Sequence, residues 1–177
     1  MSCLTVDNLY HYSHEVIIDF TQRELVFGDF YDETRKLDKY YLRPFMKPEG
    51  LWFSPEDDTQ EYDESWRAYC SDLSLNPLNY KYHVKLSPDA NLLLISDVSG
   101  MYKFCKKYRF IEDVAVYGKL AICWQSVALE YQGIIISPYQ HSLRLDSDFF
   151  WYYPWDCASG CIWDISAIST LTLLQGG

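Results

Sequence analysis

Residues 149–164 read FFWYYPWDCASGCIWD, a run of rings broken by Pro154 and followed by a small-residue step from Cys157 to Cys161. Trp151, Trp155 and Trp163 supply three of the six tryptophans of the chain. A solvent-facing segment gains little from such a run, so it is expected on the core, with Asp156 carried in beside it. A carboxylate among rings is costly to keep ionised unless hydrogen bonds or a cation compensate. Asp156 is therefore either a buried structural acceptor or the acid of a site. The same stretch is expected to supply one or two strands before Trp163.

Working outward, Ile134-Ile135-Ile136 reads as a buried strand closed by Pro138. Before it, Lys119 to Tyr131 predicts an amphipathic helix, with Leu120, Cys123, Trp124, Val127 and Tyr131 on one side and Gln132-Gly133 as its glycine end. Further back, Tyr80, Tyr82, Val84 and Leu86 alternate with Lys81, His83 and Lys85, the period-two mark of a strand with one wet face, which claims His83. After a turn at Ser87-Pro88-Asp89, residues Leu92 to Ile95 predict a buried strand. Ser99 to Phe110 then predicts a helix with Phe104 and Tyr108 inward and Lys103, Lys106 and Lys107 on a hydrated face.

Nearer the start, Trp66, Tyr69, Cys70 and Leu73 form one helical stripe that Asp63 or Ser65 would cap. Gly50 to Ser54 reads as a short aromatic strand launched from the turn Lys47-Pro48-Glu49, with Gly50 taking an unusual φ. Pro55 stops it, and an acidic loop runs from Glu56 to Glu64. A first strand is expected over Leu4 to Ser13. Between Glu15 and Pro48 an apolar cluster (Val16, Ile17, Ile18, Phe20) and a charged patch from Glu33 to Lys39 show no readable period, and the tail from Leu171 has no usable signal. Mixed strands and helices in this order predict an α+β fold, with helices around largely antiparallel sheets.

With 177 residues the chain fits a single domain, 1–177. Hydrophobic residues at 49% and aromatics at 18% argue against disorder and for a ring-rich pocket or interface. A net charge of −10 opposes affinity for a phosphate backbone, so nucleic acid is the less favoured partner. No basic start precedes an apolar run, and no segment approaches the ~18 apolar residues of a membrane span, so a soluble, cytoplasmic protein is expected. The six cysteines show no paired framework and read as buried thiols; Cys157 and Cys161 lack a second pair or a nearby His, so no metal site is expected. The chain has no Walker loop, GxGxxG, HExxH or GxSxG.

What remains is a dispersed set of polar groups. His11 and Ser13 are two apart on a strand and so share a face, where they could bond one ligand. His11-Tyr12-Ser13, then Gly50-Leu51-Trp52-Phe53-Ser54, then Tyr69-Cys70 resemble the nicotinamide-binding series of ADP-ribosyltransferases of the diphtheria-toxin and poly(ADP-ribose) polymerase type, the H-Y-(E/D) class. That series reads H-G-(S/T), G-(I/L/V)-Y-F-(A/S), then a helix tyrosine often followed by cysteine. Tyr131-Gln132-Gly133-Ile134 is similar to that family's entry into a late strand, and Cys161 to Ile168 to its last core strand.

The resemblance implies split antiparallel β-sheets with flanking helices and NAD, as substrate, in the cleft. It implies that His11, Tyr12, Ser13, Gly50, Trp52, Phe53, Ser54 and Tyr69 bind NAD, with Trp52 and Tyr69 flanking the nicotinamide. ADP-ribose would pass to a macromolecular acceptor, a protein first of all, with release of nicotinamide. Small members suggest a bacterial or phage toxin, effector or defence-related modifier. The chain departs from the pattern in three places: Tyr12 stands for the small glycine, Trp52 for a stacking tyrosine, and Ser159 for the catalytic glutamate. Asp156, three residues before Ser159, is the candidate acid, with His11 its partner and Glu130 its rival. An ionised carboxylate there would stabilise oxocarbenium character as the nicotinamide bond breaks. Two alternatives share the fold: transfer of an RNA 2′-phosphate to NAD, and an aromatic-rich protein-binding module without catalysis.

Overall fold

A computed structural model describes residues 8–17, 47–56, 64–75, 78–109 and 122–175. In chain order its elements are β1 (Leu9–Ser13), β2 (Leu51–Pro55), α1 (Trp66–Asp72), β3 (Tyr80–Leu86), β4 (Leu92–Ile95), α2 (Val98–Tyr108), α3 (Trp124–Ala128), β5 (Gly133–Ile136), β6 (Ser159–Ile162) and β7 (Ile168–Gln175). Short 3-10 turns lie at His141–Leu143, Ser147–Tyr152 and Ile165–Ala167. The strands form one mixed sheet in the order β4-β5-β6-β2-β1-β3-β7, antiparallel except for the β4–β5 pair. The α+β class expected from the sequence is therefore present.

Strand β2 is the joint of the sheet. Its first three residues pair with β6, Leu51 with Ile162, Trp52 with Cys161 and Phe53 with Gly160. Its last two pair with β1, Ser54 with Tyr10 and Pro55 with Leu9. Because side chains alternate along a strand, the sheet presents two faces, and both are covered in its middle. Ile134, Ile136 and Cys161 join a ring-rich cluster with Phe104, Trp124, Trp151 and Trp155. Ile135, Ile162, Leu51, Phe53, Leu9 and Val84 form the cluster on the other face. The aromatic run is thus core, as its composition requires, but only its end is a strand. Ser147–Tyr152 coils as 3-10 turns that bury Phe149, Trp151 and Tyr152.

Several expectations change. Gly133 is the first residue of β5 and not a helix end; the described helix before it runs only from Trp124 to Ala128, and Lys119 and Leu120 lie outside the described residues. Leu92 to Ile95 is a strand at the sheet edge, so Leu94 is half exposed and not buried. The stripe on α1 reduces to Cys70, since Leu73 is 53% exposed. The tail without signal is β7, eight residues paired along β3 through two register shifts. Those shifts break the strict alternation that would have announced it. The expected strand residues Leu4 to Asp7, the apolar Ile18 and Phe20, the patch from Glu33 to Lys39 and most of the acidic loop fall outside the described residues. Among the described residues, no helix is long and apolar enough to cross a membrane.

Gly160 shows how closely β6 is packed between its neighbours. A Cβ there would stand 2.6 Å from the Ile134 carbonyl oxygen and 2.3 Å from the Phe53 ring. Backbone cannot yield as a flexible side chain can. Gly160→Ala is therefore expected to destabilise the fold by at least about 1–3 kcal/mol, the usual range for overpacking. Urea denaturation checks this, and an unchanged midpoint would contradict the packing described.

Candidate functional site

A cavity of about 270 Å³ opens on the face of the sheet that carries the ring-rich cluster. Its lining is Tyr10 and Tyr12 from β1, Trp52, Phe53 and Ser54 from β2, Trp66 from α1, Lys47 and Leu78 from connecting segments, and Asp156, Cys157 and Ser159 leading into β6. Pairing of β2 with β6 is what sets residues 156–159 beside Trp52 and Ser54.

The loop that holds Asp156 is fixed from three sides. The Ser54 hydroxyl, 1% exposed, donates to the Ala158 carbonyl at 2.8 Å and accepts the Trp66 N–H at 2.8 Å. The Ala158 N–H donates to the Glu64 carbonyl at 2.8 Å. The Tyr139 hydroxyl donates to the Trp155 carbonyl, and the Tyr139 N–H donates to the Glu64 carboxylate at 2.7 Å. Burial pushes the Tyr139 phenol up to about 12, so it stays a donor across ordinary pH.

Asp156 itself is not sealed away. Its side chain is 31% exposed and accepts from Arg144 Nη2 at 3.1 Å. Tyr69 stands close by, stacked on Trp66 at 5.7 Å between centroids; burial, and then the Asp156 charge, raises its phenol above the ordinary value, with Arg144 opposing. Lys47 lies half-buried with Nζ 4.7 Å above the Trp52 ring. Burial lowers its ammonium below the usual lysine value, and the charge of Asp156 opposes that. Cys157 lines the cavity as an inert thiol, pushed up to about 12 by burial.

The expected site residues divide between the two faces of β1. Tyr12 lies on the cavity wall, but His11 and Ser13 alternate with it and share the face of buried Leu9. The expected meeting of His11 and Asp156 across one hollow is therefore not found. His11 instead donates from Nδ1 to the Trp52 carbonyl at 2.6 Å, where β2 turns from β1 to β6. The Ser13 hydroxyl accepts the Glu15 N–H at 3.3 Å. Ser54 lines the cavity, yet its one proton is committed to Ala158, so it fastens the wall and has no hydrogen to give a ligand. Gly50 sits outside the lining, with φ +155° and its Cα so near β6 that a Cβ would meet the Ile162 carbonyl oxygen at 2.3 Å. Glu130 pairs with Lys107 at 2.5 Å on the surface, away from the cavity.

One group escaped the sequence. The Glu56 carboxylate is buried, accepts from the Tyr12 hydroxyl and from Lys81 Nζ at 2.7 Å, and faces Arg67 Nε at 3.6 Å. Lys81 also lies 3.9 Å over the Tyr10 ring. Glu56 thereby holds the tyrosine wall of the cavity. Its signal was the continued alternation Trp52, Ser54, Glu56, which runs past Pro55 into what looks like an acidic loop. Among the described residues, no group of three or more His, Cys, Asp or Glu could hold a metal ion.

Comparison with protein-family models, curated proteins and solved structures finds no match for this chain.

Removing the Ser54 hydroxyl takes away the donor to the buried Ala158 carbonyl and the acceptor of the part-buried Trp66 N–H. Ser54→Ala is expected to cost about 1–3 kcal/mol, the scale of one buried acceptor left unsatisfied. Denaturation that shows no loss would mean that this hydroxyl does not fasten the cavity wall.

Proposed function

We propose that the cavity binds the nicotinamide end of NAD and that Asp156 drives transfer of ADP-ribose to a macromolecular acceptor, a protein first of all. One observation carries this: a carboxylate one-third exposed borders the same hollow as Tyr10, Tyr12, Trp52 and Trp66. A flat cationic ring is drawn to aromatic faces. A carboxylate fixed beside the ribose stabilises the positive charge that develops as the glycosidic bond to nicotinamide breaks. Arg144 orients that carboxylate, and Tyr69 borders it from α1.

The change of partner along β2 supports the finer reading of the fold as ADP-ribosyltransferase-like, because a split between two sheets would lie there. On this reading His11 is a positioning residue. It holds the Trp52 backbone where β1 and β2 part and acts on the ligand only through the indole. The setting that fits is a toxin-like or effector-like modifier working in the cytoplasm of its own or a host cell.

The Arg144 ion pair also favours a second reading, a binding module without catalysis, since the carboxylate already has a partner. NAD radiolabelled in its adenylate separates the two. Incubation with cell protein is expected to leave label on an acceptor, and Asp156→Asn to reduce incorporation at least about hundredfold, the scale of one electrostatic group, with its melting temperature and NAD binding kept. Label incorporated equally by the variant would overturn the role of Asp156. Binding without turnover would establish the module, and free nicotinamide without labelled acceptor a glycohydrolase.

A further inference from the structure

Lys47 is the charged group of the cavity to which the proposed chemistry gives no task. Its ammonium rests over the Trp52 ring, and among the described residues no carboxylate stands within ion-pair distance of it. The nearest candidate acid on the lining, Asp156, is held by Arg144. Two opposite charges therefore border one aromatic hollow without meeting. A half-buried ammonium lacking an anion is unfavourably solvated, and burial lowers its pKa accordingly. Such a group gains most from a ligand that brings its own anion.

The size of the hollow narrows what that ligand is. At about 270 Å³ it is smaller than the roughly 300–1,000 Å³ that enclose whole drug-sized ligands. It suits one end of a dinucleotide. If that end is a pyridinium riboside, as the proposed function requires, its positive ring and the Lys47 ammonium compete for the same indole. A phosphate on the ribose resolves the conflict, because it neutralises the ammonium and draws it off the Trp52 face.

We propose that Lys47 is the anion-binding group of this cavity, taking the phosphate on the nicotinamide ribose, so that the site selects 5′-phosphorylated pyridine nucleosides over unphosphorylated ones. This rests on the nicotinamide-binding reading of the cavity but not on catalysis. Lys47 is then a specificity-determining residue, and its effect lies in binding.

Titration calorimetry of the full chain with nicotinamide mononucleotide and with nicotinamide riboside tests it. The mononucleotide is expected to bind about tenfold or more tightly than the riboside, the scale of one charge-assisted hydrogen bond. In Lys47→Gln the gap should close to within about twofold, through loss of mononucleotide affinity alone, while Lys47→Arg should keep it. Raising salt should narrow the wild-type gap, a readout that needs no variant to fold. Equal affinities in the wild type, or a preference that survives Lys47→Gln, would overturn the assignment. A phosphate preference without transfer to any acceptor would retire the catalytic proposal and leave Lys47 standing; transfer without the preference would do the reverse. Failure of both pyridine ligands to bind would overturn the nicotinamide reading together with this one.

Discussion

A single buried hydroxyl sets the relation of three distant segments. Ser54 donates to the carbonyl of Ala158 and accepts from the N–H of Trp66, joining β2 to the loop before β6 and to the start of α1. A buried hydroxyl must satisfy its polar groups within the protein, and buried backbone groups must do the same. At Ser54 one side chain meets three such demands. That fastening acts together with the β2–β6 pairing and the bonds from Glu64 and Tyr139 to fix the spacing of Asp156, Trp52 and Trp66 around the hollow.

The second constraint is the handover along β2. A strand that leaves one neighbour for another exposes backbone groups at the parting, and here the His11 imidazole takes the Trp52 carbonyl. The aromatic side chains that β1 and β2 present on the cavity face, Tyr10, Tyr12 and Trp52, are walls of the hollow. On the proposed function, the imidazole that the family resemblance assigns to a ligand serves the indole instead. The tyrosine wall has its own support in the buried Glu56, held between Tyr12, Lys81 and Arg67.

Much of the fold was legible because its signals are local. The alternation of Tyr80 to Leu86, the inward Phe104 and Tyr108 of α2 and the Ser65 cap of α1 each follow from one strand or helix period and appear as expected. Gly133 was misread because a glycine after an apolar helical pattern looks like a cap, whereas its reason is the close approach of β6. The last strand was missed because register shifts break its alternation. At the site, the aromatic run pointed to Asp156 and the family resemblance to Trp52, and the two share a cavity, but a two-residue spacing says only that His11 and Ser13 share a face, not which one. That choice is made by burial of Leu9 against Leu51, Phe53 and Val84, a long-range contact with no trace in local spacing. Glu56 was hidden for a related reason, since Pro55 marks a strand end while the alternation continues one residue further.

The most direct test is a crystal structure of the chain with a non-hydrolysable NAD analogue. The nicotinamide ring is expected among Tyr12, Trp52 and Trp66, with a ribose hydroxyl within about 3 Å of the Asp156 carboxylate, the reach of a hydrogen bond. A ring seated on the other face of the sheet beside His11, or a ribose beyond the reach of Asp156, would contradict the assignment of this cavity.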